Sequence, residues 1–274
     1  MSDKVQRIYT TKTIESGKRL EVFKYSYPIT EGRESNNKDG RKGKQELSQE
    51  EKKFNKEQKR KQTLYIARNN IIRLISANED ELRTFITLTY KENMQDIKQS
   101  RKDLDIFFKR LRRKYKDLKY IWVMEYQFRG AIHFHLLTNI PIKIITAKPK
   151  EKKSMEQKQY ENEFRDKFWQ HGFIDLRNIG EENDIRNVGK YIACYLVQDI
   201  LDLDLQGNRV YGYSKNLNKP MVNTLETRDS IEALISLDNY DLKFINSYDL
   251  YYRNKRNEEV KGQVTYLDYI KNND

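Results

Sequence analysis

Two of the three histidines in this chain sit in the stretch 130-GAIHFHLL-137, separated by a single phenylalanine. Side chains two apart on a strand project to one face, so His133 and His135 stand side by side while Ile132, Phe134 and Leu136 point the other way. Neighbouring imidazoles suit a shared metal ion. The plainer alternative is a pair of core histidines satisfied by backbone or hydroxyl partners, and the pair alone does not separate the two. A divalent ion that handles phosphate oxygens also wants an oxygen ligand. The preceding segment 121-IWVMEYQ-127 offers Glu125, a carboxylate that is costly in so apolar a strand unless it is paired or bound to metal. The connecting turn decides which face it takes. A two-residue loop pairs Glu125 with Phe134. A loop of Phe128, Arg129 and Gly130 pairs it with His133 and puts Gly130 where such loops favour a left-handed residue. The longer loop is therefore expected, with Gln127 on the same face as a further or substitute ligand.

A second group of chemical interest is 188-VGKYIACYLVQD-199, which reads as a helix. Tyr191 and Tyr195 are four apart and so stack on one helix face, with Lys190 beside the first. The chain holds 19 tyrosines, so core packing is the default for any such pair. The third histidine, His171 in 168-FWQHGFIDL-176, follows a helix end, where imidazolium is favoured by the helix dipole, and a structural role fits it better.

The balance of 53 Lys and Arg against 41 Asp and Glu gives a net charge of +12. Such a charge draws a protein to polyanions, nucleic acid above all, though an anionic membrane surface would satisfy it too. The basic run 109-KRLRRKYK-116, with Lys109, Arg110, Arg112, Arg113 and Lys114, is a candidate phosphate-tracking surface or simply a solvated helix face. Arg129 stands closer to the histidine strand. No stretch has the ~18 apolar residues that a membrane span needs, and the N-terminus does not resemble a signal peptide. The single cysteine, Cys194, excludes an intrachain disulfide and any multi-cysteine zinc site. A soluble, cytoplasmic protein without membrane contact is expected.

These residues need elements to hold them. Alternation predicts a hairpin over 7–27 around an ESGKR turn, followed by a charged, Gly- and Asn-rich linker over 30–46. Ser48 and Glu51 form a capping-box pattern for a helix whose apolar face is Tyr65, Ile66, Ile72, Leu74 and Ile75. From residue 84 the apolar density rises. A strand at 84–90 leads to a helix at 100–115 with Leu104, Phe107, Phe108 and Leu111 on one side, then to strands at 119–127 and 131–138. A helix near 156–170, a strand at 172–178 and a helix near 183–199 follow. The order β-α-β-β-α-β-α predicts an α+β fold, a ferredoxin-like (split βαβ) antiparallel sheet with helices packed on one face. The segments divide into an N-terminal extension 1–83, a core 84–202 and a C-terminal extension 203–274, the last with a helix near 228–237 and strands near 241–252 and 262–270.

In this order the motifs resemble a known family, the HUH endonucleases, and within it the rolling-circle replication initiators of plasmids and phages. The resemblance rests on 85-FITLTY-90, on 125-EYQFRGAIHFH-135 and on 189-GKYIACYL-196, with 168-FWQHGFIDL-176 and 211-YGYSKNLNKP-220 in support. It spans about residues 84–220. It implies nicking of one DNA strand at a replication origin by a tyrosine hydroxyl, leaving a 5′-phosphotyrosine and a free 3′-OH. It further implies Mg²⁺ or Mn²⁺ on Glu125, His133 and His135, with Tyr191 as first nucleophile and Tyr195 as a second that passes the strand on. One departure stands out: many members carry a lysine three residues after the nucleophile, where this chain has Cys194, and Lys190 is the candidate to take its part. The chain has no Walker motif, so a separate host helicase is expected. A transposase or relaxase of the same superfamily, and a ferredoxin-like nucleic-acid-binding module without chemistry, are the competing readings.

Overall fold

A computed structural model describes residues 7–31, 48–127, 130–143, 152–179, 209–226, 237–253 and 259–272. Its contacts gather into two compact units, Gln49–Asn218 and a second made from both ends, Met1–Ser48 with Lys219–Asp274. Both are built on antiparallel sheets, and three helices accompany them among the described residues. None of these helices is long and apolar enough to cross a membrane.

The larger unit contains α1 (Gln49–Ser76), β3 (Thr84–Tyr90), α2 (Ile97–Lys114), β4 (Tyr120–Tyr126), β5 (Ile132–Thr138), α3 (Met155–Phe168), β6 (Gly172–Asn178) and β7 (Tyr211–Tyr213). The strands lie in the order β6-β3-β5-β4-β7. The first and third strands of the series thus occupy the middle, and every adjacent pair is antiparallel. Helix α2 starts because the Asp96 carboxylate accepts from the backbone N–H groups of Lys98 and Gln99 at 2.8 and 3.1 Å. Ser154 does the same for α3, accepting from Gln157 N at 3.1 Å.

Packing fixes the sheet face that these helices cover. Phe108 of α2 stacks on Tyr120 of β4 with ring centroids 3.9 Å apart. Trp169, fully buried just past α3, meets Phe107 of α2 edge-on at 5.9 Å and Phe134 of β5 at 6.5 Å. Tyr120, Trp122 and Met124 of β4, with Ile132, Phe134 and Leu136 of β5, therefore form the helix-covered face. Each buried aromatic ring contributes on the order of 2–3 kcal/mol by its area alone.

In α1 the buried positions are Leu64, Ala67, Ile71, Leu74 and Ile75. Tyr65 and Ile66, expected on the apolar face, are exposed instead. The spacing explains the correction: 64, 67, 71, 74 and 75 follow the helical stripe, and 65 and 66 lie beside it. β7 has no forerunner among the expected strands. It joins the sheet because Gly212 lies against the Trp122 indole, where an added Cβ would come within 2.6 Å of Nε1.

The second unit is a sheet of β1 (Arg7–Ser16), β2 (Arg19–Glu31), β8 (Met221–Leu225), β9 (Tyr240–Arg253) and β10 (Glu259–Lys271), in the order β8-β1-β2-β10-β9. The expected hairpin is present as β1 and β2. The two terminal extensions, separate in sequence, share this one sheet, whereas α1 belongs with the larger unit. Their joining is a long-range pairing, β1 with β8 and β2 with β10, that no local pattern announces. The linker expected over 30–46 lies almost wholly outside the described residues, as does most of the helix expected near 228–237.

Candidate metal and active site

The hairpin of β4 and β5 takes the register that the longer loop requires: Glu125 stands opposite His133, and Val123 opposite His135. Gln127 N donates to Ala131 O at 2.9 Å and Gly130 N to Gln127 O at 2.6 Å. Gly130 adopts φ +77°, a left-handed conformation that glycine holds without the Cβ penalty.

Register then assembles the face opposite the helices. One row across the strands reads Phe173 (β6), Thr89 (β3), His133 (β5), Glu125 (β4). The next reads Asp175, Thr87, His135, Val123 and, from β7, Tyr211. A third, with Phe85, Leu137 and Ile121, is buried. The face thus closes toward the third row and opens toward the first, where Phe173 is exposed and Glu125 and His133 are half-buried.

Polar contacts organise the centre. His135 Nε2 lies 2.6 Å from Glu125 Oε2, and its Nδ1 lies 3.2 Å from Thr87 Oγ1. A carboxylate only accepts, so the hydrogen bonds assign the imidazole proton to Nε2, with the Thr87 hydroxyl donating to Nδ1. The Phe85 ring lies parallel to the imidazole, with centroids 5.8 Å apart. His133 Nδ1 is 3.3 Å from Gln127 Nε2. Glu125 and His135 are therefore in direct contact, and His133 shares their face but is engaged with Gln127. Among the described residues no group of three or more His, Cys, Asp or Glu is gathered closely enough to hold a metal ion.

The donor types nonetheless fit a divalent cation. One carboxylate and two imidazoles on a single face match what such an ion takes, and the Nε2 proton lies between two atoms that can both ligate. The second shell is also present, since Thr87 already orients the ring of His135 from its far nitrogen.

At the β6 edge, burial pushes the Asp175 carboxyl up, but hydrogen bonds from Arg177 and Lys153 outweigh it and hold the group below its ordinary value. The Lys153 ammonium bridges Asp175 at 2.7 Å and Glu161 at 2.5 Å. Sequence patterns do not single out Thr87, Lys153 or Asp175. Only Thr87 leaves a signal, as a hydroxyl in the alternating threonines of 84-TFITLTY-90.

Tyrosines near the histidine strand divide by face. Tyr90 and Tyr126 point toward the helices. Burial and the neighbouring Asp103 carboxylate push the Tyr90 hydroxyl far above the phenol range, and it donates to Asp103 Oδ2 at 3.0 Å. Burial pushes Tyr126 up to about 12. Neither is a nucleophile for this face. Tyr211 is on it, with burial raising its hydroxyl as well. His171 lies off the site, its Nε2 3.7 Å from Asp103 Oδ1 and its ring against Trp169.

The basic residues of α2 are not brought to the histidines, because Phe108 and Phe107 seat that helix on the other face. Arg110 donates to Phe168 O and Gln170 Oε1 at 3.3 and 2.9 Å, and Arg112 to the Tyr120 hydroxyl at 2.7 Å. Lys114 sits over the Tyr115 and Phe168 rings. These three brace the helix layer, while Lys109 and Arg113 are exposed along it. Tyr191, Tyr195, Lys190, Cys194 and Arg129 lie outside the described residues.

No curated protein and no solved structure matches the chain. Residues 83–200 match the family model of the replication-associated protein ORF2. That segment contains β3, the β4–β5 hairpin with Glu125, His133 and His135, and the tyrosine-bearing stretch 188–199, and the match supports a replication-initiator role for the chain.

Proposed function

We propose that this protein is a metal-dependent HUH endonuclease that initiates rolling-circle replication by nicking one DNA strand at an origin. The observation that carries the reading is the contact of Glu125 with His135 at 2.6 Å on a hairpin whose register sets His133 opposite Glu125. The strand order supports a ferredoxin-like sheet of the split βαβ kind, since the first and third strands of the β-α-β-β-α-β series are central.

Glu125, His133 and His135 would hold Mg²⁺ or Mn²⁺, with Gln127 as a further donor. Bound there, the ion supplies a positive charge for a non-bridging phosphate oxygen and for charge developing in the transition state. Thr87 keeps the His135 ring in place. Tyr191 is the first nucleophile: its phenolic oxygen bonds to phosphorus, its proton is lost, and the bond to the 3′-oxygen breaks to leave a 3′-OH. Lys190 supplies positive potential that favours the phenolate. Tyr195 is the second acceptor, able to pass the strand on. Arg129, at the hairpin turn, is the nearest phosphate contact. The partners are origin DNA in single-stranded form and a separate host helicase, and the place of action is the cytoplasm.

The test is incubation of the purified chain with end-labelled single-stranded DNA from its own replicon, with Mn²⁺ or with chelator, followed by denaturing electrophoresis. The expected result is a metal-dependent cut with protein attached to the 5′ end, lost in Tyr191→Phe and kept in Tyr195→Phe and Tyr211→Phe. Binding of origin DNA without any covalent adduct would replace the endonuclease with a binding module.

A further inference from the structure

We infer that Phe173 is a base-stacking platform for the single-stranded DNA that the proposed site acts on, with Lys158 as its phosphate contact; the inference rests on the endonuclease reading for the identity of the strand. Phe173 lies on β6 at the end of the row that continues through Thr89 and His133 to Glu125, all on one face. It is 58% exposed, whereas every other aromatic residue of β3 to β6 is buried. Strands lie ~4.8 Å apart, so roughly 10 Å separates Phe173 from His133 across the sheet. A single strand covers that distance in a few nucleotides.

Beside the ring is an open cavity of about 220 Å³ lined by Lys158, Glu161, Asn162, Arg165, Phe173 and Ile174. It is smaller than the ~300–1,000 Å³ of a site that encloses a whole small-molecule ligand, and suits one base laid on a ring. The charges point the same way. The Glu161 carboxylate is already neutralised by Lys153 at 2.5 Å and bonded by Leu176 N at 2.9 Å. Arg165 pairs with Asp166 at 2.8 Å. Among the described residues no carboxylate pairs Lys158, so its ammonium is the cation of the cavity left for a phosphate. Asn162 adds an amide able to meet a base edge. An exposed ring with a lysine alongside accepts any base through its π-face, which gives sequence-tolerant holding of the strand next to the cut.

The experiment uses the full chain in chelator, so that no cutting intervenes. It titrates a fluorescein-labelled oligodeoxythymidylate of about 20 nucleotides, longer than the ~4–16 that one such surface occupies. Phe173→Ala should weaken binding by about 5- to 150-fold. Phe54→Ala, at a residue 60% exposed on α1, should not. Phe173→Trp should bind as the parent does, and its indole emission should be quenched by the DNA; both native tryptophans, Trp122 and Trp169, are buried and give no such response. Lys158→Gln should lower the slope of log affinity against log salt by about 0.7. Unchanged affinity in Phe173→Ala together with unquenched Phe173→Trp overturns the inference, and does so even where Tyr191-dependent nicking is observed. The expected binding losses without nicking by the parent chain keep the platform and remove the endonuclease.

Discussion

The two faces of the β6-β3-β5-β4-β7 sheet are made from alternate residues of the same strands, yet they are chemically opposite. The helix-covered face holds Trp122, Met124, Phe134 and Leu136, with Trp169 wedged against Phe134 and Phe107. Its polar atoms are few and mostly bonded, as in Tyr90 to Asp103. The other face is apolar in its third row and polar in the first two, where Glu125, His133, His135, Thr87 and Asp175 gather. The closed face spends its area on stability. The open face keeps groups that a core would exclude, and tolerates them because each has a partner or water.

The comparison breaks most severely at the closed face. Trp169→Ala should cost about 3–5 kcal/mol, because it empties a fully buried site touched by Phe107, Phe134 and Tyr90. Denaturant unfolding would measure it, and a loss below about 1 kcal/mol would mean that the helix layer is not the stabilising one. On the open face the order reverses. Glu125→Gln should leave unfolding nearly unchanged while lowering Mn²⁺-dependent cutting by about 10²–10³-fold, the usual effect of losing a charge-stabilising group. A variant that unfolds readily and still cuts would invert the assignment of the faces.

Smaller effects sharpen it. Lys153→Ala leaves the half-buried carboxylates of Glu161 and Asp175 without their shared cation and should cost about 1–3 kcal/mol. The pH dependence follows with a definite sign. The folded Asp175 carboxyl lies below its ordinary 3.8, so its contribution is present above that pH and is lost as pH falls through the lower folded value. Asp175→Asn should therefore flatten the acid limb of the stability profile below about pH 3.8, with no change near neutrality in its slope. Gly130→Ala, forced to φ +77°, should cost about 1–2 kcal/mol. Because the turn sets the register, that variant should also reduce cutting more than its stability loss explains.

The β4–β5 register is legible in the amino-acid order because a turn of known length and a glycine at one position leave a single pairing. The strands β3 to β6 and the helix between 97 and 114 are equally legible, since period and apolar density agree there. The α1 face misleads at Tyr65 and Ile66, where apolar residues adjacent to the stripe look like members of it. The basic helix is legible as a helix. Its orientation is not, because Phe107 and Phe108 specify burial but not which sheet face receives them.

The sequence by itself determined the spacing of His133 and His135, the face of Glu125 and the family-like order of motifs, all of which depend on residues close in the chain. Only the tertiary structure decided that Thr87 holds the His135 ring, that Lys153 joins Glu161 to Asp175, and that Phe173 ends the row of His133. It also decided that both chain ends complete one sheet. Most such contacts join residues tens to hundreds of positions apart, and the free energy that selects them is packing and desolvation across the whole fold, which leaves no periodic trace in any one segment.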